Sequence, residues 1–250
     1  MISRRRARKI GYIADQQGII NRYLREQGGW DSHLMKTRDF IVEGVRAAKP
    51  DIVTLLGSGW LLDVPLEEVA SLCEHVNLVD INHPAQVRRK AGLIKNVSLI
   101  EDDITGGVAR LLHGAIRKNL SAAAIQIPQY NPDYERGLVV SANLLTQLDM
   151  IPADYLAARS DSSREELRQF RKRIQEAHID FLREQTSLLV SDVQEEVWRE
   201  DEKVEDNDLL FTQFPAGEME RQWIWDFDTG GSYYRRSRVL FKVRTVMLMK

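Results

Sequence analysis

The chain has 250 residues, 43% of them hydrophobic, and a formal net charge of −2. That is apolar side chain enough for a full core, most economically one large domain with additions, and the near-neutral balance gives no reason to propose a nucleic-acid partner for the whole molecule. Short apolar runs broken by charge and an amino terminus reading MISRRRARKI match neither a membrane span nor a secretory signal, and the single cysteine, Cys73, has no partner for an internal disulfide. A reducing, cytoplasmic setting is expected.

Residues 1–48 read as a helical amino-terminal extension packed against the main sheet. Arg4, Arg5, Arg6, Arg8 and Lys9 form a basic tip, which is read as a solvated terminal run, with RNA docking as its functional alternative. Ile10, Ile13, Ile19, Ile20, Tyr23 and Leu24 predict one amphipathic segment, broken near Gly28-Gly29, and Phe40, Ile41 and Val45 predict a second, ending before Pro50. Between them Trp30, His33 and Arg38 sit beside a glycine hinge. They are candidate pocket residues, with a connecting turn and a Trp over the core edge as the structural alternative.

Residues 49–250 read as an α/β domain. Ile52, Val53, Leu55 and Leu56 form a buried-strand run that stops at Gly57-Ser58-Gly59, and Pro65 marks the start of a helix whose first N–H groups are expected to face the turn. A second run, Val76 to Val79, ends at Asp80 and Ile81. Asp80 lies one helix and one strand beyond the glycine turn, beside it at the carboxyl end of the neighbouring strand, where a carboxylate can accept two hydrogen bonds from a ribose diol. A third run, Val97 to Ile100, ends at Glu101-Asp102-Asp103 before a helix expected over Ile104 to about Lys118. Asp103 is also a candidate N-cap for that helix. Three neighbouring strand ends with polar turns predict one shared ligand site. The five histidines lack metal-ligand spacing, and no metal site is argued from them.

LLGSGW, VDIN and EDDIT, in that order, resemble the first three motifs of the class I S-adenosylmethionine-dependent methyltransferases. The resemblance implies a Rossmann-like three-layer sandwich with a mostly parallel seven-stranded sheet, its last strand antiparallel in a C-terminal hairpin. It also implies S-adenosyl-L-methionine as cofactor. Carried over by position, Gly57, Ser58 and Gly59 face the methionine moiety, Asp80 the ribose, and Asp102 or Asp103 the adenine, with Ile81 and Ile104 as walls for the ring. The chain departs from the family in having Thr54-Leu55-Leu56 where an acid is common, and in lacking a further glycine in GSGWLL.

Two segments compete for the fourth strand, 122–127 followed by PQYNPDY, and 137–141 leading into Asn143. We take the second, which is more strongly β-like and puts Ser141 beside the cofactor and Asn143 at the acceptor as the candidate catalytic group. Residues 119–136 then become a loop or short extra strand at the other end of the sheet. A capping box at Ser162 or Ser163 opens a long surface helix, Leu188 to Val193 form a fifth strand, and the acidic run 201–208 reads as an exposed loop. Runs at 222–227 and 239–247 close the chain as a hairpin.

The expected function is methyl transfer by direct displacement to a small-molecule acceptor. The hairpin weighs against the alternative of a dinucleotide-dependent oxidoreductase, and a non-catalytic methyltransferase-like binding protein is the third possibility. Trp30, His33 and Trp60 are candidates for the substrate pocket, Tyr12 and Tyr23 weaker ones for positioning an acceptor, and Asp63 is expected to cap a helix. No membrane association is expected.

Overall fold

The structure, a computed structural model, describes residues 4–250. Residues 1–3 of the terminal stretch lie outside the described residues, as does the side chain of Arg4 in the basic tip. Three helices, α1 (Arg4–Ile10), α2 (Tyr12–Glu26) and α3 (Asp31–Ala48), precede the first strand. The predicted first amphipathic segment is interrupted at Gly11, whose φ of +125° no helix accommodates.

Then follow β1 (Ile52–Leu56), α4 (Leu66–Ser71), β2 (His75–Asp80), α5 (Ala85–Ala91), β3 (Val97–Glu101), α6 (Val108–Arg117) and β4 (Leu138–Ala142). After these come α7 (Gln147–Ala157), α8 (Arg164–Arg183), β5 (Ser187–Arg199), β6 (Glu202–Asp208), β7 (Glu218–Asp228) and β8 (Arg238–Leu248). A single sheet runs β3-β2-β1-β4-β5-β8-β7. Strands β1 to β5 are parallel, and β8 is antiparallel to both its neighbours. This is the Rossmann-like sheet with a reversed hairpin strand, and the strand order turns back between β1 and β4, the place where open α/β sheets bind ligands.

Alternation along the strands divides the core into two layers. Leu78, Leu55, Val140 and Leu188 lie in register and join Phe40, Ile41 and Val45 of α3 and Val69 of α4 on one face. One residue further on, Val79, Leu56, Ser141 and Leu189 are in register on the other face, where Leu112, Phe170 and Ile174 come from α6 and α8. Because α3 belongs to the first of these layers, the amino-terminal helices share the core of the α/β part.

Three local expectations change. Residues 202–208 form an eighth strand, β6, where a seven-stranded sheet with an acidic loop at 201–208 was expected, because β5 runs on beyond β4 and its outer half, Gln194 to Arg199, pairs with them on the side away from β8. Their exposed charges suit an edge strand that must not recruit another. The 122–127 alternative for the fourth strand is a 3-10 turn, Ala122–Ala124, followed by extended chain. Helix α6 starts at Val108 rather than near Ile104, because the Asp103 and Thr105 side chains cap it from the preceding turn. The capping box of α8 forms as read, with Ser163 and Glu166 as its pair.

Candidate functional site

Strand β1 ends at Leu56 and the chain turns with φ of +69° at Gly57 and +48° at Gly59, values that only glycine adopts freely. Gly57 N and Ser58 N donate to the Val79 carbonyl at 2.8 and 3.2 Å, and Gly59 N donates to Asp80 Oδ2 at 2.8 Å. All three N–H groups are therefore held by the end of β2. Residues 57–65 form a loop and α4 opens only at Leu66, with Pro65 just before it. This corrects the expectation that helix N–H groups face the turn, and it removes the helix-terminus anion site that a pyrophosphate needs.

Asp80 is buried. Its second oxygen accepts from Gln16 Nε2 at 3.0 Å and from Asn82 N at 3.2 Å. Burial pushes its carboxyl above the usual range, against the lowering effect of the Gly59 and Asn82 N–H groups. Gln16 reaches it from α2, exchanges hydrogen bonds with Asn82 and takes Trp60 Nε1 on its carbonyl at 2.7 Å. Ser58 turns its hydroxyl to His83 Nδ1 at 3.4 Å, and His83 Nε2 faces the Ile100 carbonyl at 3.0 Å. A carbonyl only accepts, so Nε2 of His83 is the donor in that contact.

At the end of β3 the two acids have different surroundings. Asp103 accepts from Thr105 N and Oγ1 with one oxygen and from Ala109 N at 3.2 Å with the other, so it caps α6. Asp102 accepts from Asp103 N at 2.8 Å and from Tyr130 Oη at 3.1 Å, and Tyr130 Oη lies 2.7 Å from Tyr134 Oη. Tyr130 belongs to the 119–136 segment. That segment was expected at the other end of the sheet, but it passes Gly106, where an added Cβ would meet the Pro128 carbonyl at 2.8 Å. The missing side chain is what lets it approach β3.

On the other side of the switch point, Asn143 follows β4 with φ of +51°. Its amide meets Asp63 Oδ2 at 2.7 Å and His33 Nε2 at 3.1 Å. His33 stacks on Trp225, centroids 3.8 Å apart and planes 5° from parallel, and its Nδ1 receives Trp223 Nε1 at 3.1 Å. Burial and the Lys36 charge lower the His33 pKa to about 3, so the ring is neutral. Trp223 only donates, which places the single imidazole proton on Nε2. That proton needs an acceptor, and the amide oxygen of Asn143 is the one within reach. With the oxygen towards His33, it also faces Asp63, and the contact is satisfied when Asp63 is protonated. Burial raises the Asp63 carboxyl in that direction. With the amide turned the other way, Asn143 Oδ1 is buried without a partner. In either orientation one end of the amide is left for a ligand. Asp63 therefore bonds Asn143 and caps no helix.

The residues read from the sequence mostly converge. Gly57, Ser58, Gly59, Asp80, Ile81, Asp102, Asp103 and Ile104 line a single cavity with Trp30, His33, Trp60 and Asn143, holding about 1080 Å³ of unfilled space, part of it open to solvent. Tyr12 lines it too, with a buried hydroxyl that has no partner among the described residues. Trp30 closes one edge, its indole N–H on the Phe227 carbonyl at 2.9 Å. Ser141 is not part of the wall. It lies inside β4 on the layer facing α8, where its hydroxyl pairs with His178 Nε2 at 2.9 Å. Tyr23 packs against Trp30 outside the wall, and Arg38 donates to the Leu62 carbonyl. Gln16 and Tyr130 were not foreseen, since each reaches the site from an element far away in sequence.

No family model matches this chain and no curated protein matches it. Among solved structures, one described as the DhpI–SAH complex aligns with 92% of this chain and 95% of its own at 12% identity and a TM-score of 0.33. Another, the crystal structure of PRMT6, aligns with 86% of this chain and 72% of its own at 12% identity and a TM-score of 0.29. Likeness that remote says nothing of activity.

Proposed function

We propose that this protein is an S-adenosylmethionine-dependent methyltransferase acting on a small molecule. One observation carries the reading. In a sheet ordered β3-β2-β1-β4-β5-β8-β7 with β8 reversed, the ends of β1, β2 and β3 bring the glycine turn, Asp80 and Asp102 to one cavity. The residues present fit the cofactor. A side chain at Gly59 would meet only the Gly57 carbonyl, 3.6 Å from its Cβ, and among the described residues Tyr12 Oη and one end of the Asn143 amide are buried polar atoms without a partner.

In this reading Gly57 and Gly59 lie against the methionine part, Asp80 holds the ribose hydroxyls and Asp102 the adenine amino group. Asp102 is preferred to Asp103, which accepts three hydrogen bonds from the start of α6 where Asp102 accepts two and keeps a lone pair free on each oxygen. When bound, the cofactor supplies a sulfonium methyl group, an electrophile that any well-placed nucleophile can attack. The protein's share is to bind, orient and exclude water. Asn143 offers its free amide end to the acceptor, and His33 and Asp63 fix the plane of that amide. Trp30 and Trp225 close the site. The engaged N–H groups of the glycine turn, with α4 starting well beyond it, weigh against a dinucleotide.

Titration calorimetry with S-adenosylhomocysteine and with NAD tests this. We expect the first to bind and the second not. Binding of NAD alone would refute the proposal. Binding of the homocysteine compound without methyl transfer to any acceptor would leave a cofactor-binding protein and refute the catalytic part.

A further inference from the structure

The cavity does not end at Asn143. Asp15, Ile19, Gln147, Ile151 and Trp225 are common to its wall and to that of a second chamber, which has about 1290 Å³ of unfilled space, part of it open to solvent. The floor of this chamber is β5, β7 and β8, and α2 and α7 cover it. Its rings are Trp225, Phe227, Phe241, Tyr233 and Tyr234.

The charges in that wall do not balance. Asp15, Asp154, Asp192, Glu195 and Asp208 stand against Arg22 and Arg171. Arg171 is paired with Asp149, outside the chamber. Arg22 lies over the Phe227 and Tyr233 rings, 4.6 and 4.7 Å from their centroids, and the acids whose charges act on it are Asp228 and Asp15. Asp192 and Glu195, both buried, accept only from neutral donors among the described residues. Thr146 Oγ1 reaches Asp192 at 2.7 Å, and Asn207 Nδ2 and Tyr234 Oη reach Glu195 at 3.0 and 3.2 Å. Two carboxylates taken out of water without a countercharge are costly, and a cation between them and the rings removes that cost. A second, independent feature also asks for a ligand. Trp225, 6% exposed and standing in the walls of both chambers, has an indole N–H without a hydrogen-bond partner among the described residues.

We propose that the second chamber is the acceptor site, and that the acceptor is a small amine. It binds as its cation between the Asp192 and Glu195 carboxylates and the aromatic wall, with a hydrogen-bond acceptor atom for the Trp225 N–H. For transfer the ammonium gives one proton to one of the two carboxylates, and the freed nitrogen lone pair forms the N–C bond as the sulfonium C–S bond breaks and S-adenosylhomocysteine leaves. The assignment as acceptor site rests on the methyltransferase reading. The preference for a cation does not.

Calorimetry with tyramine, whose phenol oxygen can accept from the Trp225 N–H, its neutral analogue 2-(4-hydroxyphenyl)ethanol and its anionic analogue 3-(4-hydroxyphenyl)propionate tests the preference, on protein saturated with S-adenosylhomocysteine. The amine should bind about tenfold more tightly than either analogue. Asp192→Asn and Glu195→Gln should each erase most of that difference and leave affinity for S-adenosylhomocysteine within about twofold, which also shows that the variants fold. Should Asp192→Asn not fold, Glu195→Gln alone decides. Equal or tighter binding of the alcohol or the carboxylate overturns the proposal. So does binding of none of the three, or an amine affinity untouched by the substitutions. If S-adenosylhomocysteine does not bind, the methyltransferase reading fails, and the same three probes on the protein alone still decide the cation preference.

Discussion

Gly59 and Asp80 are joined by a 2.8 Å hydrogen bond from the turn after β1 to the carboxylate that ends β2. The bond ties the two strand ends into one rigid corner, and Gln16 of α2 closes that corner from above. The carboxylate thus orders the turn as well as facing the cavity.

Removing it should have two effects. Asp80→Ala leaves Gly59 N and Asn82 N without their acceptor, and should weaken S-adenosylhomocysteine binding by about 1–3 kcal/mol and lower stability by a similar amount. Gln16→Ala should cost less, about 0.5–1.5 kcal/mol in affinity, because it removes one of the three donors to Asp80 and leaves the carboxylate and its two backbone donors in place. Calorimetry and urea unfolding of both variants check this, and an unchanged affinity in Asp80→Ala would remove the carboxylate from the site.

What the sequence made legible follows from locality. The strand and glycine turn at 52–59, the acid at 80 and the β-branched run at 138–140 are each written in a few adjacent residues, and each occupies the expected place in the sheet. Ser141 was misplaced by parity. One residue along a strand reverses the face, and register sets Ser141 with Leu56 and Leu189 towards α8. Gln16 and Tyr130 had no local signal, since a glutamine on a helix and a tyrosine in a loop acquire their roles only when distant elements meet. Asp63 was read as a cap because its partner, Asn143, lies 80 residues away.

Tyr130 holds Asp102 in place from a loop. Burial keeps its phenol protonated, so it is a donor to the carboxylate at any working pH. Tyr130→Phe should loosen Asp102 and weaken S-adenosylhomocysteine binding by about 0.5–1.5 kcal/mol, with little change in stability. Adenosine binding should fall by the same factor and methionine binding should not, which localises the loss to the nucleoside end.

His33 and His178 predict how the protein responds to acid. Burial lowers the first to about 3 and the second to about 4, below the ordinary 6.5. The unfolded chain then takes up protons below pH 6.5 that the folded one refuses, so stability is full above that pH and falls as the pH drops towards the folded values. At pH 5 each histidine should cost about 2 kcal/mol relative to pH 7.5. His178→Gln should recover about half of the combined loss, and unfolding in urea at the two pH values measures it.

The contact between Asp63 and Asn143 turns on a single proton. The hydrogen-bond count at His33 is satisfied when Asp63 is protonated, and burial raises its carboxyl. An acid with a raised folded pKa gives stability at low pH that is lost as pH rises through that value. Asp63→Asn keeps an N–H donor to the Asn143 oxygen and removes the titration. It should therefore be neutral or stabilising at pH 8, and less favourable at pH 5. Asp63→Ala, which leaves the amide unpaired, should cost about 1–3 kcal/mol at both. If Asp63 were ionised, Asp63→Asn would forfeit a charge-assisted bond of about 1.5–3 kcal/mol at pH 8. The sign of that one difference therefore decides which end of the Asn143 amide faces the acceptor. A protonated Asp63 leaves the N–H₂ end free and calls for an electron-pair donor there, the chemical character of a methyl acceptor.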